Sequence, residues 1–258
     1  MMSNDSTSKT LIVATLLCVV CSVVVSWSAV SLKPLQEKNK RLDIKKNLLM
    51  AAGLVDSTAQ EKVINEAFKS IETKIVDLST GEYVEDMDVE AYNSVKAAKD
   101  PKQNVRIAAS NDKAGIKVRA KYKKVYFVKE NGQTTMLVLP VHGKGLWSTM
   151  YGFLVLTPDT TTVKGLGFYA HGETPGLGGE IDNPNWKKLW KGKKAFDENW
   201  NPALRVVKGP AAAGSQSDID GLSGATLTSN GVTGTVQYWL GENGYGPFLS
   251  KWRAGGMN

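Results

Sequence analysis

The stretch from Ser217 to Val232 reads Ser-Asp-Ile-Asp-Gly-Leu-Ser-Gly-Ala-Thr-Leu-Thr-Ser-Asn-Gly-Val, and apolar residues at helical spacing follow it. Small residues let a backbone approach a ligand closely, and the free amides at a helix start favour a phosphate through hydrogen bonds and the helix dipole. We therefore expect a phosphate site where the stretch meets the helix. A plain helix cap stays open as an alternative on spacing alone, because hydroxyls and carboxylates accept from the first amides of many helices.

A serine-hydrolase interpretation of the same stretch is less well supported. Gly221-Leu-Ser223-Gly224-Ala225 half resembles the Gly-x-Ser-x-Gly nucleophile elbow, in which a strand runs straight into the turn. The fifth position is Ala, and no convincing strand pattern precedes the turn. The motif is therefore incomplete, and a hydrolase would have to depend on Ser223.

Two blocks in the chain match a known family. Asp220-Gly-Leu-Ser223-Gly224-Ala225-Thr226 fits every specified position of the Asp-x-x-Ser/Thr-Gly-Ala-Thr signature, at which a flavin transferase attaches FMN to the last Thr. The earlier block, His171-Gly-Glu-Thr-Pro-Gly-Leu-Gly-Gly-Glu180, is similar to the other hallmark of the same FMN-binding domain. With one predicted N-terminal anchor, the chain resembles the C-subunit family of sodium-translocating NADH:quinone oxidoreductases. The G-subunit family of the related Rnf complexes is the nearest alternative.

The resemblance implies a covalent FMN that is bonded through its phosphate to Thr226. It also implies that Asp220 serves recognition by the transferase, and it places the Gly-Leu-Trp segment near the flavin. Lys208 is a candidate counter-charge for the phosphate. The candidate cofactor-binding residues are Trp147, Ser148, Glu173, Thr174, Gly176, Leu177, Gly178, Lys208, Ser223, Gly224, Ala225, Thr226, Leu227 and Thr228.

The loop that begins at His171 has the composition of a rigid ring-binding segment. Thr174-Pro175-Gly176-Leu177 predicts a type II turn, with Pro at the second position and Gly at the third. Leu177 can face a flat isoalloxazine, and Glu173, Thr174 or backbone amides can meet its polar edge. The glycine spacing is not Gly-x-Gly-x-x-Gly, so the loop does not indicate NAD binding.

The N-terminal region predicts a membrane anchor. No charged residue occurs from Thr10 to Leu32, a run long enough to cross a bilayer as a helix. A cleaved signal peptide is the alternative, but its apolar region would be shorter and its start more basic than the lone Lys9. Cys18 and Cys21 lie inside the run, where we expect them to act as small packing residues.

Charge bias and resemblance disagree about orientation. Six Lys or Arg residues follow the anchor closely while one precedes it, which would place the large domain in the cytoplasm. The resemblance implies the periplasmic side of a bacterial inner membrane, and long translocated domains obey the charge rule weakly. We therefore expect a tail (1–9), a transmembrane helix (10–32), a helical stalk (33–56) and a periplasmic FMN-binding domain (57–258).

The remaining pattern predicts an α+β domain with a largely antiparallel sheet. We expect a helix capped by Ser57 and Gln60 whose core face is Val63, Ile64, Phe68, Ile71 and Ile75, then loop and short helix over 82–111. Strands are predicted at 123–128, 136–141, 150–157 and 163–169, with a final strand at 204–207; Asn131-Gly132 marks a hairpin turn. Asn183-Pro184 caps a short basic helix. Another helix follows Thr226 and runs to about Leu240, so that Thr226 lies at or beside its first turn, and a last helix lies within 245–253.

Other chemistry is disfavoured. Neither His142 nor His171 has the neighbours of a metal site, and the net charge of +7 is spread along the chain without a nucleic-acid recognition motif. By resemblance, the chain is an electron relay that works with subunits B, D and E in NADH:quinone oxidoreduction coupled to sodium export. A non-redox, membrane-anchored binding or assembly module stays open if the threonine is unmodified.

Overall fold

The computed structural model describes residues 6–255. Helix α1 (Thr7–Ala51) is continuous and contains Pro34. It covers both the predicted transmembrane segment and most of the predicted stalk. Within the described residues it is the one helix long and apolar enough to cross a bilayer. The predicted tail over 1–9 lies partly outside the described residues. The chain divides into two compact units, Met1–Ile44 and Lys45–Asn258.

The second unit contains the helices and strands that build the domain. Its helices are α2 (Glu61–Ala67), α3 (Ser94–Ala97), α4 (Pro184–Lys188), α5 (Thr226–Leu240) and α6 (Gly246–Arg253). Its strands are β1 (Ile71–Asp77), β2 (Asn104–Arg106), β3 (Val118–Ala120), β4 (Tyr122–Glu130), β5 (Gln133–Lys144), β6 (Thr149–Leu156), β7 (Val163–Ala170), β8 (Arg205–Val206) and β9 (Asp218–Ile219).

Five of the strands form one antiparallel sheet in the order β1-β4-β5-β6-β7, which confirms the predicted α+β class. The predicted hairpin is also confirmed, because Glu130 pairs with Gln133 across Asn131 and Gly132. Both turn residues have positive φ, at 53° and 79°, as a two-residue type I′ turn requires.

Helix α5 packs across the central strand β5 and so fixes where its own first turn lies. The Trp239 indole donates to the carbonyl of His142 at 2.7 Å. A Cβ at Gly143 would fall 1.9 Å from Thr235 Oγ1, and one at Gly231 would fall 2.4 Å from the carbonyl of Lys144. These glycines let helix and strand approach closely, which places the start of α5 beside the loop that joins β5 to β6.

The predicted helix that includes Phe68, Ile71 and Ile75 is shorter in the structure, where it corresponds to α2. It ends at Ala67, and a 3-10 turn leads into β1, where Ile71 and Ile75 pair with Val128 and Lys124 of β4. Both isoleucines are buried as predicted, but in a strand, since pairing with β4 overrides a spacing that also fits a helix.

Three smaller expectations also need correction. Gln60, not Ser57, is the residue before α2, and its side chain makes no capping hydrogen bond. Val63 is exposed, so it is not part of the core. The predicted last strand at 204–207 shortens to β8, and β9 follows it as a parallel partner, with Arg205 opposite Asp218.

Neighbouring chain segments interrupt both edges of the sheet. At β1, Val84 N donates to the carbonyl of Ile75 at 2.9 Å, and Tyr83 bridges to Val76. At β7, Val163 exchanges hydrogen bonds of 2.8 Å with the segment 192–193, while a Cβ at Gly165 would fall 2.3 Å from the carbonyl of Ala51. Irregular segments therefore cover parts of both sheet edges, and the end of α1 lies against a face of β7.

Lys123 is a buried cation of this domain. Its Nζ lies 3.4 Å from His142 Nδ1 and 4.4 Å from the centre of the Trp239 ring. Burial, helped by the positive charge of Arg119, lowers the pKa of Lys123 to about 7. The protonated form is therefore much less favourable in the folded state than in water.

We expect Lys123→Met to raise the free energy of unfolding by about 2 kcal/mol at pH 7, because it removes a desolvated charge while keeping most of the volume. Between pH 7 and the ordinary lysine pKa the unfolded chain holds a proton that the folded chain lacks, so wild-type stability rises with pH there. The stability that Lys123→Met adds relative to the wild type should therefore shrink towards pH 10. Denaturant unfolding of the detergent-solubilised chain at pH 7 and 9.5 checks this, with exposed Lys121→Met as control. A loss of stability in Lys123→Met at pH 7 would contradict the prediction.

Candidate functional site

Three segments that are distant in sequence meet at one end of the sheet. They are the β5–β6 loop around Gly145–Ser148, the loop after β7 around His171–Gly179, and the first turn of α5. Glu173, which is only 5% exposed, lies where the three segments join.

The Glu173 carboxylate accepts hydrogen bonds from both of the other two segments. Oε1 accepts from the backbone amides of Trp147 at 3.0 Å and Ser148 at 3.4 Å. Oε2 accepts from the amide of Leu146 at 3.1 Å and from the Thr228 hydroxyl at 2.5 Å. Two carboxylate oxygens offer about four acceptor positions, so these donors fill the carboxylate.

Glu173 is held in its charged form. Burial alone raises the pKa of its carboxyl, but the hydrogen bonds from Thr228, Trp147, Leu146 and Ser148 outweigh burial, and the pKa lies below its usual value. Because this pKa is lower in the folded chain than in the unfolded one, the charged carboxylate stabilises the fold at pH values above the unfolded-state pKa. That stabilisation is lost as the pH falls through the folded-state pKa. At neutral pH the Glu173 carboxylate, where the three segments meet, is therefore negatively charged.

Glycines allow the segments to approach so closely. A Cβ at Gly145 would fall 2.5 Å from Glu173 Oε1, and one at Gly178 would fall 2.4 Å from Thr228 Oγ1. Gly224 has a φ of +69°, and a Cβ there would lie 3.0 Å from Leu177 Cδ2. The Gly-Ala turn before α5 and the loop after β7 are thus in direct contact.

The predicted type II turn is confirmed. Leu177 N donates to the carbonyl of Thr174 at 3.1 Å, and Gly176 has a φ of 75°. Two more contacts fix this loop to the β5–β6 loop. The Trp147 indole donates to Thr174 Oγ1 at 3.1 Å, and the Gly172 amide donates to Ser148 Oγ at 2.6 Å.

Thr226 is the first residue of α5, which agrees with the predicted position at or beside the first turn, and it is exposed. The first backbone bond of the helix runs from Ser229 N to the carbonyl of Ala225 at 3.0 Å, so the amides of residues 226–228 precede the helical ladder. Thr228 is buried and donates to Glu173, and Ser229 Oγ accepts from the Leu222 amide at 3.2 Å. Of the three neighbouring hydroxyls, that of Thr226 is the accessible one.

Exposed apolar side chains surround this turn. Leu146, Trp147, Leu177 and Leu227, which we call the apolar rim, are between 42% and 66% exposed. Each belongs to one of the three joined segments. Large exposed apolar groups can bind a flat apolar ring, and the nearby amides of residues 226–228, which lie outside the helical ladder, can bind an anionic tail. The residues present therefore fit FMN.

Asp220 and Lys208 lie beside the turn in different settings. Asp220 Oδ1 accepts from the Ala211 amide at 2.8 Å, and its carbonyl accepts from the Trp186 indole at 2.9 Å. Lys208 is exposed and lines a shallow cavity with Asn230 and Thr233, on the flank of α5 beyond its first turn. Ser223 and Gly224 are exposed, while Ala225 is buried.

Two contributors were not expected from the sequence. Leu146 supplies both an amide to Glu173 and a side chain to the apolar rim, and its glycine-rich neighbourhood was the available signal. Trp186 ties α4 to Asp220, a contact across 34 residues with no local signal. His171 forms a hydrogen bond with Asp182 at 2.7 Å, and His142 stacks on Tyr151 and makes a tilted ring contact with Trp239. Residues 6–255 contain no group of three or more His, Cys, Asp or Glu side chains that could hold a metal.

The chain is similar in sequence to a known domain family and to proteins of known complexes. Residues 145–241 match the FMN-binding domain family. The chain is 52% identical over 254 residues to the C subunit of the Na(+)-translocating NADH-quinone reductase of Haemophilus ducreyi, covering 98% of this chain and 96% of that one. It is 49% identical over 259 residues to the corresponding protein of Vibrio vulnificus, covering 100% of both.

Solved structures agree with the fold. The crystal structure of Shewanella oneidensis NqrC superimposes with a TM-score of 0.78 at 35% identity, covering 84% of this chain and 99% of that chain. That of the C subunit from Parabacteroides distasonis gives a TM-score of 0.67 at 29% identity, covering 85% and 97%. The predicted resemblance is confirmed. The chain belongs to the C-subunit family of the Na(+)-translocating NADH-quinone reductase, and so is one component of an oxidoreductase complex.

Proposed function

We propose that FMN is bonded through its phosphate to Oγ1 of Thr226, and that the chain relays electrons within the complex. The observation that carries the proposal is the exposed Thr226 hydroxyl at the first residue of α5, beside amides that precede the helical ladder. On attachment, a P–O bond forms to Oγ1 while the phosphoanhydride bond of an activated flavin donor breaks; the hydroxyl loses its proton, and the rest of the donor leaves with the bridging oxygen. The resulting phosphodiester keeps one negative charge, which the amides and the helix dipole stabilise.

The apolar rim would hold the isoalloxazine, and the neighbouring polar groups would orient it. Trp147 and Leu177 offer apolar surface, and Ser148, Thr174 and the amides of Gly176 and Gly178 offer hydrogen-bonding groups. Ser223, Gly224, Ala225, Leu227 and Thr228 would surround the phosphate end, with Lys208 as a more distant counter-charge. FMN supplies reversible electron uptake and release when bound; the residues supply attachment, orientation and a fixed local charge.

The relay assignment is supported by what the relatives are called. Their names specify a sodium-translocating NADH-quinone reductase, which favours this complex over the Rnf type. We propose that the chain exchanges electrons with neighbouring redox centres, including the flavin of the B subunit, with the D and E subunits as further partners. Sodium export would then belong to the whole complex. A single helix also confines the flavin near its partners and raises their effective concentration.

We place the protein in a bacterial inner membrane with α1 as its anchor and the domain on the periplasmic side. Support comes from the apolar stretch of α1 and from the family. A membrane-impermeant thiol reagent applied to intact cells that carry Ser250→Cys tests the side, because Ser250 is exposed. Labelling only after lysis would contradict the periplasmic placement.

The attachment is tested by the mass of the peptide that contains Thr226, from protein matured in cells that contain the transferase. We expect the peptide to carry the added mass of FMN, with fragmentation placing it on Thr226. An unmodified peptide would favour the non-redox binding or assembly module. A modified peptide whose flavin takes up no electrons in a redox titration would also reject the relay.

We expect Asp220→Asn to lower the fraction of chain that carries covalent flavin by roughly tenfold, a loss of about 1.4 kcal/mol in recognition by the transferase. Asparagine keeps an acceptor for the Ala211 amide, so the loop before β9 should stay folded. The measurement is the ratio of flavin absorbance to protein, beside an unfolding curve. Unchanged flavin content would remove Asp220 from recognition, and a large stability loss would assign it a structural role instead.

A further inference from the structure

We infer that Glu173 is a positioning residue, which locks the apolar rim in place and whose fixed negative charge lowers the midpoint potential of the flavin on Thr226. The part that concerns the potential rests on the proposed function. The part that concerns locking stands on contacts within the chain. Glu173 reaches residues 25 to 27 positions earlier in the sequence and one 55 positions later.

Glu173 supports neighbouring residues and is not a flavin ligand, because hydrogen-bond donors of the chain already occupy its carboxylate. Four donors from the chain occupy its two oxygens, which leaves little acceptor capacity for a flavin ring. Two of those donors are the backbone amides of Leu146 and Trp147, whose side chains belong to the apolar rim. Trp147 is held a second time by Thr174, the residue next to Glu173. One buried carboxylate therefore sets the backbone beneath the exposed aromatic group.

An amide cannot replace this carboxylate. In Glu173→Gln the side-chain NH2 group would replace an oxygen that accepts from at least one backbone amide, whichever way it turns, so a partly buried N–H would lose its acceptor. The change also removes a buried negative charge from the place where the three segments join. A nearby anion opposes the arrival of an electron, and removing it makes a redox group easier to reduce. Positioning and potential should therefore change together.

A matched control exists at the opposite end of β6. Asp159 is another carboxylate that accepts from one backbone amide, Thr161 N at 2.9 Å, and from the hydroxyls of Thr157 and Thr161. It lies in the turn between β6 and β7, whereas Ser148 immediately precedes β6. Asp159→Asn makes the same change in charge away from the site; its three donors all reach Oδ1, so the amide oxygen of Asn can keep them, and the variant is a control for charge alone.

The test compares the full-length wild type, Glu173→Gln and Asp159→Asn in detergent. Amide hydrogen exchange is followed at residues 146–148, and the midpoint potential of the bound flavin is measured by spectroelectrochemical titration. In Glu173→Gln we expect exchange at these amides to speed up at least tenfold. We also expect the potential to rise, by about 59 mV if the equilibrium for a one-electron step changes tenfold. Asp159→Asn should leave both quantities at wild-type values.

The two arms separate failure of the inference from failure of the proposed function. Unchanged exchange at residues 146–148 in Glu173→Gln would overturn the locking role, whether or not flavin is present. Faster exchange with an unchanged or lower potential would overturn the electrostatic role. Equal effects in Asp159→Asn would show a general response to lost charge and would also overturn the inference. Wild-type protein without flavin would reject the proposed function and, with it, the electrostatic role, while the exchange result would still decide the locking role.

Discussion

Replacing Thr226 by valine is expected to abolish flavin fluorescence on a denaturing gel, while the folded domain keeps its stability. Valine has nearly the same shape as threonine but lacks Oγ1, so no phosphoester can form. The side chain is exposed at the start of α5, and surface substitutions there change stability by only about 0.5 kcal/mol. The measurement is the ultraviolet image of the gel, normalised to stained protein, with an unfolding curve for each variant.

Thr228→Val is the matched control for this experiment. Thr228 lies in the same turn, but it is buried and its hydroxyl is bonded to Glu173. This variant should keep fluorescence on the gel, at a reduced level and with lower stability, because the Thr226 hydroxyl is intact while the Thr228–Glu173 hydrogen bond is lost. Fluorescence that persists in Thr226→Val, or that disappears only in Thr228→Val, would remove Thr226 as the attachment site.

Gly178→Ala is expected to cost about 3 to 5 kcal/mol of folding free energy and to lower covalent flavin content more than tenfold. The new Cβ would lie 2.4 Å from Thr228 Oγ1 and 3.0 Å from Glu173 Oε2, so Thr228 or Glu173 must move. Overpacking a dense site costs about 1 to 3 kcal/mol, and loss of a hydrogen bond to a buried carboxylate adds about 1.5 to 3 kcal/mol. Denaturant unfolding and the flavin-to-protein absorbance ratio measure the two effects.

Gly176→Ala separates crowding from backbone strain in the same loop. Gly176 has a φ of +75°, but nothing lies within 4 Å of a Cβ there. Only the left-handed backbone is disfavoured, which costs about 1 to 2 kcal/mol. If Gly176→Ala and Gly178→Ala lost equal amounts of stability and flavin, contact between the loop and α5 would not be the cause.

Local signals predicted those parts of the fold that local chemistry determines. Asn131-Gly132 marked a hairpin because a type I′ turn needs two residues that tolerate positive φ. The stretch of small residues indicated a helix start close to Thr226, and α5 begins at that residue. The spacing of Ile71 and Ile75 fits a helix as well as a strand, and the choice depends on β4, about 50 residues later. A pattern confined to one segment cannot contain that information.

The candidate site shows the same division. The two sequence blocks identified the segments and the exposed threonine, since close backbone approach requires glycine and a type II turn has a recognisable composition. The partners of Glu173 could not be foreseen. Three of them are backbone amides, which every residue except proline carries, and the fourth is one of several hydroxyls in its stretch. The path of the β5–β6 loop and the packing of α5 decide together which donors reach the carboxylate.

The covered edges of the sheet bear on how other proteins of the complex can bind. An exposed outer strand lets a foreign segment add itself as a further strand through main-chain hydrogen bonds. Here the segments 82–84 and 192–195 occupy parts of the edges at both outer strands. Along those parts, recognition between subunits is left to side-chain surfaces, such as those around the turn before α5. Partner choice can change through point substitutions on those surfaces while the strand register stays the same.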